Sequence, residues 1–88
     1  MTTFSHRILT ENINRPLIVD ILSKYFDSFT LTEHKGYWKG VPESSLSVEV
    51  IGAAYADVLR AASAIRTANN QDAVLVFSVN GKQTVVSV

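Results

Sequence analysis

The chain has 88 residues, 47% of them hydrophobic and 18% charged, and its eight basic and eight acidic side chains cancel. No segment concentrates Lys and Arg as phosphate binding requires, so nucleic acid is not an expected partner. With no cysteine there is no disulfide, thiolate metal site or cysteine nucleophile.

This length makes one domain, 1–88, because two independent cores would each be too small to fold unaided. Such a domain buries only about 60–65% of the surface its unfolded chain exposes. A mean hydropathy of +0.15 is high for so small a body. Part of the apolar surface is therefore expected to lie against another subunit. The segment Met1–Arg7 lacks the apolar core of a signal peptide, and no apolar run approaches the roughly 18–20 residues needed to span a bilayer. The expected compartment is the cytoplasm.

Phe4 to Glu11 reads as a first strand, broken at Asn12–Asn14. Asn14 can cap a helix that Pro16 opens, since proline's missing N–H falls among donors left unpaired anyway. Leu17, Ile18, Ile21, Leu22 and Tyr25 then recur at helical spacing, with Asp20, Ser23 and Lys24 opposite. Phe29 to Lys35 alternates, with Phe29 and Leu31 on one side and Thr30, Thr32 and His34 on the other, a strand pattern. Gly36 to Ser45 holds two glycines and a proline and reads as a loop or extended hairpin tip. Leu46, Val48 and Val50 alternate with Ser47 and Glu49 in the plainest half-buried strand of the chain.

A second helix begins around Ala53–Ala56, with Tyr55, Val58, Leu59, Ala62 and Ile65 as its buried stripe, and ends at Asn69 and Asn70. Asn80-Gly81 between two β-rich runs is the signature of a two-residue type I′ turn. That turn would pair Val79 with Lys82, Phe77 with Thr84, Leu75 with Val86 and Ala73 with Val88. This bulkier set should face the helices. Val74, Val76 and Val85 would then form a modest patch on the other side, the expected oligomer interface.

The order β-α-β-β-α-β plus a hairpin strand predicts an α+β, ferredoxin-like sandwich. Its antiparallel sheet carries both helices on one face, because crossovers are right-handed. The bare face is expected to be covered by another copy, in a dimer or trimer.

The stretch Gly36-Tyr37-Trp38-Lys39-Gly40, with His34 and Lys35 just before it, is the most suggestive candidate site. Its glycines let the backbone bend, and its aromatics can stack on a ring or anchor a partner. The competing reading has Trp38 folded back to cap the open end of the core. His6 and His34 are candidate metal ligands or bases, but they fall on strands that this topology separates by a third. A structural or surface role is the stronger reading, and neither a metal nor a cofactor is expected. Glu43-Ser44-Ser45 reads as a turn whose hydroxyls satisfy loop amides, and Asn69-Asn70-Gln71-Asp72 as a helix-ending polar loop.

Phe29-Thr30, Gly36-Tyr37-Trp38-Lys39-Gly40, Glu43-Ser44-Ser45 and Ala64-Ile65-Arg66, followed by Gln71 before Val74-Leu75, resemble the pattern of a small bacterial domain family without an assigned activity. The resemblance spans about the last two-thirds of the chain, with a shorter stretch between Trp38 and Glu43, and it implies the fold rather than an activity. The layout is also similar to PII signalling proteins and the CutA family, whose resemblance implies a trimer with a functional loop between the second and third strands. The sequence-based expectation is a non-enzymatic, oligomeric binding or regulatory domain with a contact loop at 36–40. A small-molecule enzyme using His34 or His6 in a cleft, and a structural subunit of a larger assembly, are the alternatives.

Overall fold

The computed structural model describes residues 5–78 and 83–87, with backbone alone for Trp38, Gln83, Thr84, Val85 and Ser87. In chain order the elements are β1 (Ser5–Glu11), α1 (Arg15–Tyr25), β2 (Thr30–Trp38), β3 (Val41–Ile51), α2 (Tyr55–Ala68), β4 (Ala73–Ser78) and β5 (Gln83–Ser87). The strands form one sheet in the order β2-β3-β1-β4-β5, each antiparallel to its neighbours. This is the expected ferredoxin-like α+β fold, with β5 added beside β4.

Alternation along the strands decides what each face carries. Ile8 of β1, Leu46, Val48 and Val50 of β3, and Val74 and Val76 of β4 are buried in a single cluster. Ile18, Ile21 and Leu22 of α1 and Val58, Ala61, Ala62 and Ile65 of α2 join the same cluster. Both helices therefore cover one face of the sheet. Phe26, just past α1, is buried there as well, although its position beyond the helical stripe gave no sign of it.

Three expectations need correction. Asn14 does occupy the position before α1, but it does so in a left-handed conformation with no side-chain cap hydrogen bond. Its carbonyl, rather than its amide side chain, opens the helix by accepting from the Leu17 and Ile18 N–H groups. The C-terminal ribbon pairs Ala73 with Ser87, Leu75 with Val85 and Phe77 with Gln83. That register is displaced by one residue from the one expected; the Asn80-Gly81 turn lies outside the described residues.

The third correction concerns the faces of β4. Val74 and Val76 lie at 1% and 0% exposure beneath the helices and cannot form a surface patch. The side chain of Val85 lies outside the description. Val76 stands across from Ile8, and Val74 across from Val86, which packs against the core. Leu75 stands across from Leu9, and Phe77 across from Arg7, on the opposite face. Bulk alone misassigned the strand. Compact, β-branched valines are what fits beneath α2, whose buried stripe includes Ala61 and Ala62.

Candidate functional site

The candidate stretch 36–40 is not a free loop: it is the tip of an extended hairpin, and whether the Trp38 side chain caps the core lies outside the described residues. Ser45–Ile51 of β3 pairs with β1, and the Asn12 N–H donates to the Ser44 carbonyl just beyond that ladder. From Gly36 to Glu43, among the described residues, the two strands pair only with each other: Gly36 with Glu43, Tyr37 with Pro42, Trp38 with Val41. They project from the sheet as a two-stranded ribbon. Lys39 (φ 50°) and Gly40 (φ 79°) make its two-residue turn. Positive φ at both positions is what a type I′ turn demands, and it matches the right-handed twist of the flanking strands. The type I′ geometry expected at Asn80-Gly81 is found here, with lysine in the first position.

The period of two sorts the ribbon's side chains. Glu33, Lys35 and Tyr37 follow Leu31 on the helix side, and Arg15 at the start of α1 forms an ion pair with Glu33. His34 and Gly36 lie on the open side, across from Ser45 and Glu43. His34 Nε2 is 2.7 Å from the Ser47 hydroxyl, one diagonal step away. Glu43 and Ser44 belong to β3, not to a turn, and the Ser44 hydroxyl accepts from Asn12 Nδ2 at 2.9 Å. Exposure rises toward the tip: Tyr37 is 70% and Val41 60% exposed. Of the five expected contact residues, Lys35, Tyr37 and Lys39 are exposed on the ribbon along with His34, and Trp38 is described by its backbone.

His6 sits apart from His34, as expected, with β3 between their strands and on the opposite face. It is buried under α2, with Nδ1 3.0 Å from the Ser78 hydroxyl and its ring tilted against Tyr55 at 5.4 Å. With Ser5, Arg7, Glu49, Phe77 and Ser78 it lines a cavity of about 410 Å³ where β1 begins and β4 ends. Arg7 and Glu49 face each other there as an exposed ion pair at 2.6 Å. No group of three or more His, Asp or Glu among the described residues could hold a metal ion.

Sequence reasoning missed the burial of Thr10, Ser47 and Gln71. Gln71, expected in a helix-ending polar loop, is 4% exposed and reaches the equally buried Thr10. The open face also holds more apolar surface than the sequence suggested: Leu9, Leu75 and Phe77 are half-buried there, and Ile51 is 68% exposed.

Known structures share this architecture. A phage SAM lyase in its apo state superposes with a TM-score of 0.69 at 15% identity, covering 97% of this chain and 89% of that one. The B. subtilis GlnK–ATP complex superposes with a TM-score of 0.55 at 18% identity, covering 92% and 91%. At these identities the likeness is one of fold, and it agrees with the PII-like layout inferred from the order of elements. No family model matches the chain, and no curated protein does, so the resemblance to a bacterial domain family has no matching model behind it. No helix among the described residues is long and apolar enough to cross a membrane.

Proposed function

We propose that the chain is a small cytoplasmic, homo-oligomeric binding or regulatory domain, and that the β2–β3 ribbon is its contact element. His34, Lys35, Tyr37, Trp38 and Lys39 supply the contact groups, each fixed by strand pairing or by the type I′ turn. One observation carries this reading: a paired ribbon extends past the sheet and exposes a tyrosine at 70% and a valine at 60%. None of the ribbon's described side chains from Gly36 to Glu43 joins the core, yet ordering its residues costs conformational entropy. A preorganised aromatic surface is what that ordering provides. The open sheet face, with Leu9, Leu75, Phe77 and Ile51, is the surface that a second copy covers. These four residues take the place of Val74 and Val76, while Val85, paired with Leu75, keeps its assignment to this face.

The two structural neighbours are a SAM lyase and an ATP complex, and SAM and ATP are the first ligands to test. Titrating each into the protein while following the emission of the single tryptophan, Trp38, should give a saturable change. That change should be lost in the Tyr37→Ala, Lys39→Ala double variant. Retention of full binding by the double variant would remove the ribbon from the site.

A second reading has one observation in its favour. A buried histidine bonded to a serine lines a 410 Å³ cavity beside an ion pair, an arrangement that could serve a small-molecule enzyme. Catalysis abolished by His6→Phe in a protein that still melts cooperatively would favour it over the binding domain.

A further inference from the structure

The two edges of the sheet differ in length: β2 runs nine residues and β5 five. Among the described residues the backbone of β2 pairs with β3 alone. Most of the devices that blunt an edge are missing from it. It holds no proline, no residue of positive φ and no bulge, since its register with β3 runs unbroken from Thr30–Glu49 to Trp38–Val41. The N–H and C=O groups that point away from β3 are a template for another strand. One device remains, a pair of charges: Glu33 and Lys35, two residues apart on the helix side.

Those charges suit one occupant. A two-fold axis through the edge pairs β2 with its own copy, antiparallel, and keeps helix-side residues opposite helix-side residues. An axis at Glu33 sets two carboxylates against each other, and an axis at Lys35 sets two ammonium groups; like charges directly opposite repel. An axis at His34 instead sets Glu33 against Lys35 of the second copy, and does so twice. The same register puts half-buried Leu31 across from Tyr37, which is 70% exposed. His34 is also the midpoint of β2, so this register uses the whole strand, with Thr30 across from Trp38 at each end. Length and charge thus select one axis independently. Glu33 already pairs with Arg15 of its own chain, but its side chain is 58% exposed and a carboxylate accepts from more than one cation. Lys35 is exposed and has no ion-pair partner among the described residues.

We propose that β2 is a second contact between copies of this chain, pairing edge to edge about a two-fold axis at His34 so that two sheets run on as one. This rests on the homo-oligomer reading above and adds a contact distinct from the open face. One edge pair is small beside the roughly 1,200–2,000 Å² of a stable interface, so it joins copies already held through the open face.

Cysteine pairs read the register directly, since the chain has no cysteine of its own. Residues directly opposite in antiparallel strands stand about 4.5–5.5 Å apart at Cα, within disulfide reach. Diagonal neighbours, at about 7–8 Å, lie beyond it. On mild oxidation His34→Cys should therefore link to itself. Glu33→Cys and Lys35→Cys should each link poorly alone and efficiently when mixed. Charge reversal reads the contact without cross-linking. Glu33→Lys and Lys35→Glu should each lower the mass seen by light scattering, and mixing the two variants should restore it, because each then presents the charges that the other attracts. Both positions are exposed, so the variants should melt as the wild type does.

Cysteine variants that link equally alone and mixed, or charge variants that keep the wild-type mass, overturn the proposal. If Phe77→Asp lowers the mass while the charge variants do not, the edge contact fails and the covered open face stands. If the wild-type protein runs as a single chain, both fall.

Discussion

Thr10 and Gln71, 61 residues apart, hold one another inside the fold: Gln71 Nε2 donates to the Thr10 hydroxyl at 2.9 Å, and Gln71 Oε1 lies 3.1 Å from the same oxygen. The Glu11 N–H also donates to Gln71 Oε1, at 3.3 Å. This one amide joins the end of β1 to the segment between α2 and β4. The Asn69 side chain adds a parallel tie by donating to the Ile13 carbonyl at 2.8 Å. The polar loop after α2 is therefore a clasp.

Gln71→Leu should cost about 1–3 kcal/mol, since it leaves the buried Thr10 hydroxyl with only the Glu11 carbonyl and removes the Gln71 acceptor of the Glu11 N–H. Adding Thr10→Val should recover part of that loss by removing one of the stranded groups. Urea melts of the two single variants and the double variant would measure the coupling.

The ribbon turn offers a clean stability test. Lys39 holds a left-handed conformation that asparagine adopts more readily, so Lys39→Asn should stabilise the hairpin by about 0.5–1 kcal/mol. Gly40→Ala should destabilise it by about 1 kcal/mol, because a Cβ is strained at φ 79°. Thermal melts that rank the two variants in the opposite order would exclude the type I′ geometry.

Much of this fold was legible because its signals are local. The stripe Ile18, Ile21 and Leu22 and the alternation Leu46, Val48 and Val50 each find their buried face without knowledge of the rest. β4 was misread because a run such as Val74-Leu75-Val76-Phe77 is apolar on both sides, so period alone cannot orient it. Its neighbours decide, with Ile8 across from Val76 and Leu9 across from Leu75. The burial of Gln71 was invisible for a related reason, since its partner Thr10 lies 61 residues away. At the candidate site the glycine-aromatic motif was plain. The pairing of Gly36 with Glu43 needed the β2–β3 register, which no single strand encodes.

The corrected faces of β4 separate core from interface by experiment. Val74→Asp and Phe77→Asp lie three residues apart and should fail differently. Val74 is 1% exposed, so a carboxylate there is buried without a partner and should unfold the domain or cost several kcal/mol. Phe77 is only half-buried, on the open face beside Arg7, and its aspartate should leave the far-ultraviolet circular dichroism near that of the wild type. If the open face is the oligomer contact, the same substitution should shift light scattering from a multiple of 9.7 kDa to the single-chain mass. Like charges gathered on a shared apolar face repel where apolar side chains would have packed. A Phe77→Asp protein that keeps the wild-type mass would exclude this face from assembly and leave the free edges of β2 and β5 as the places to look.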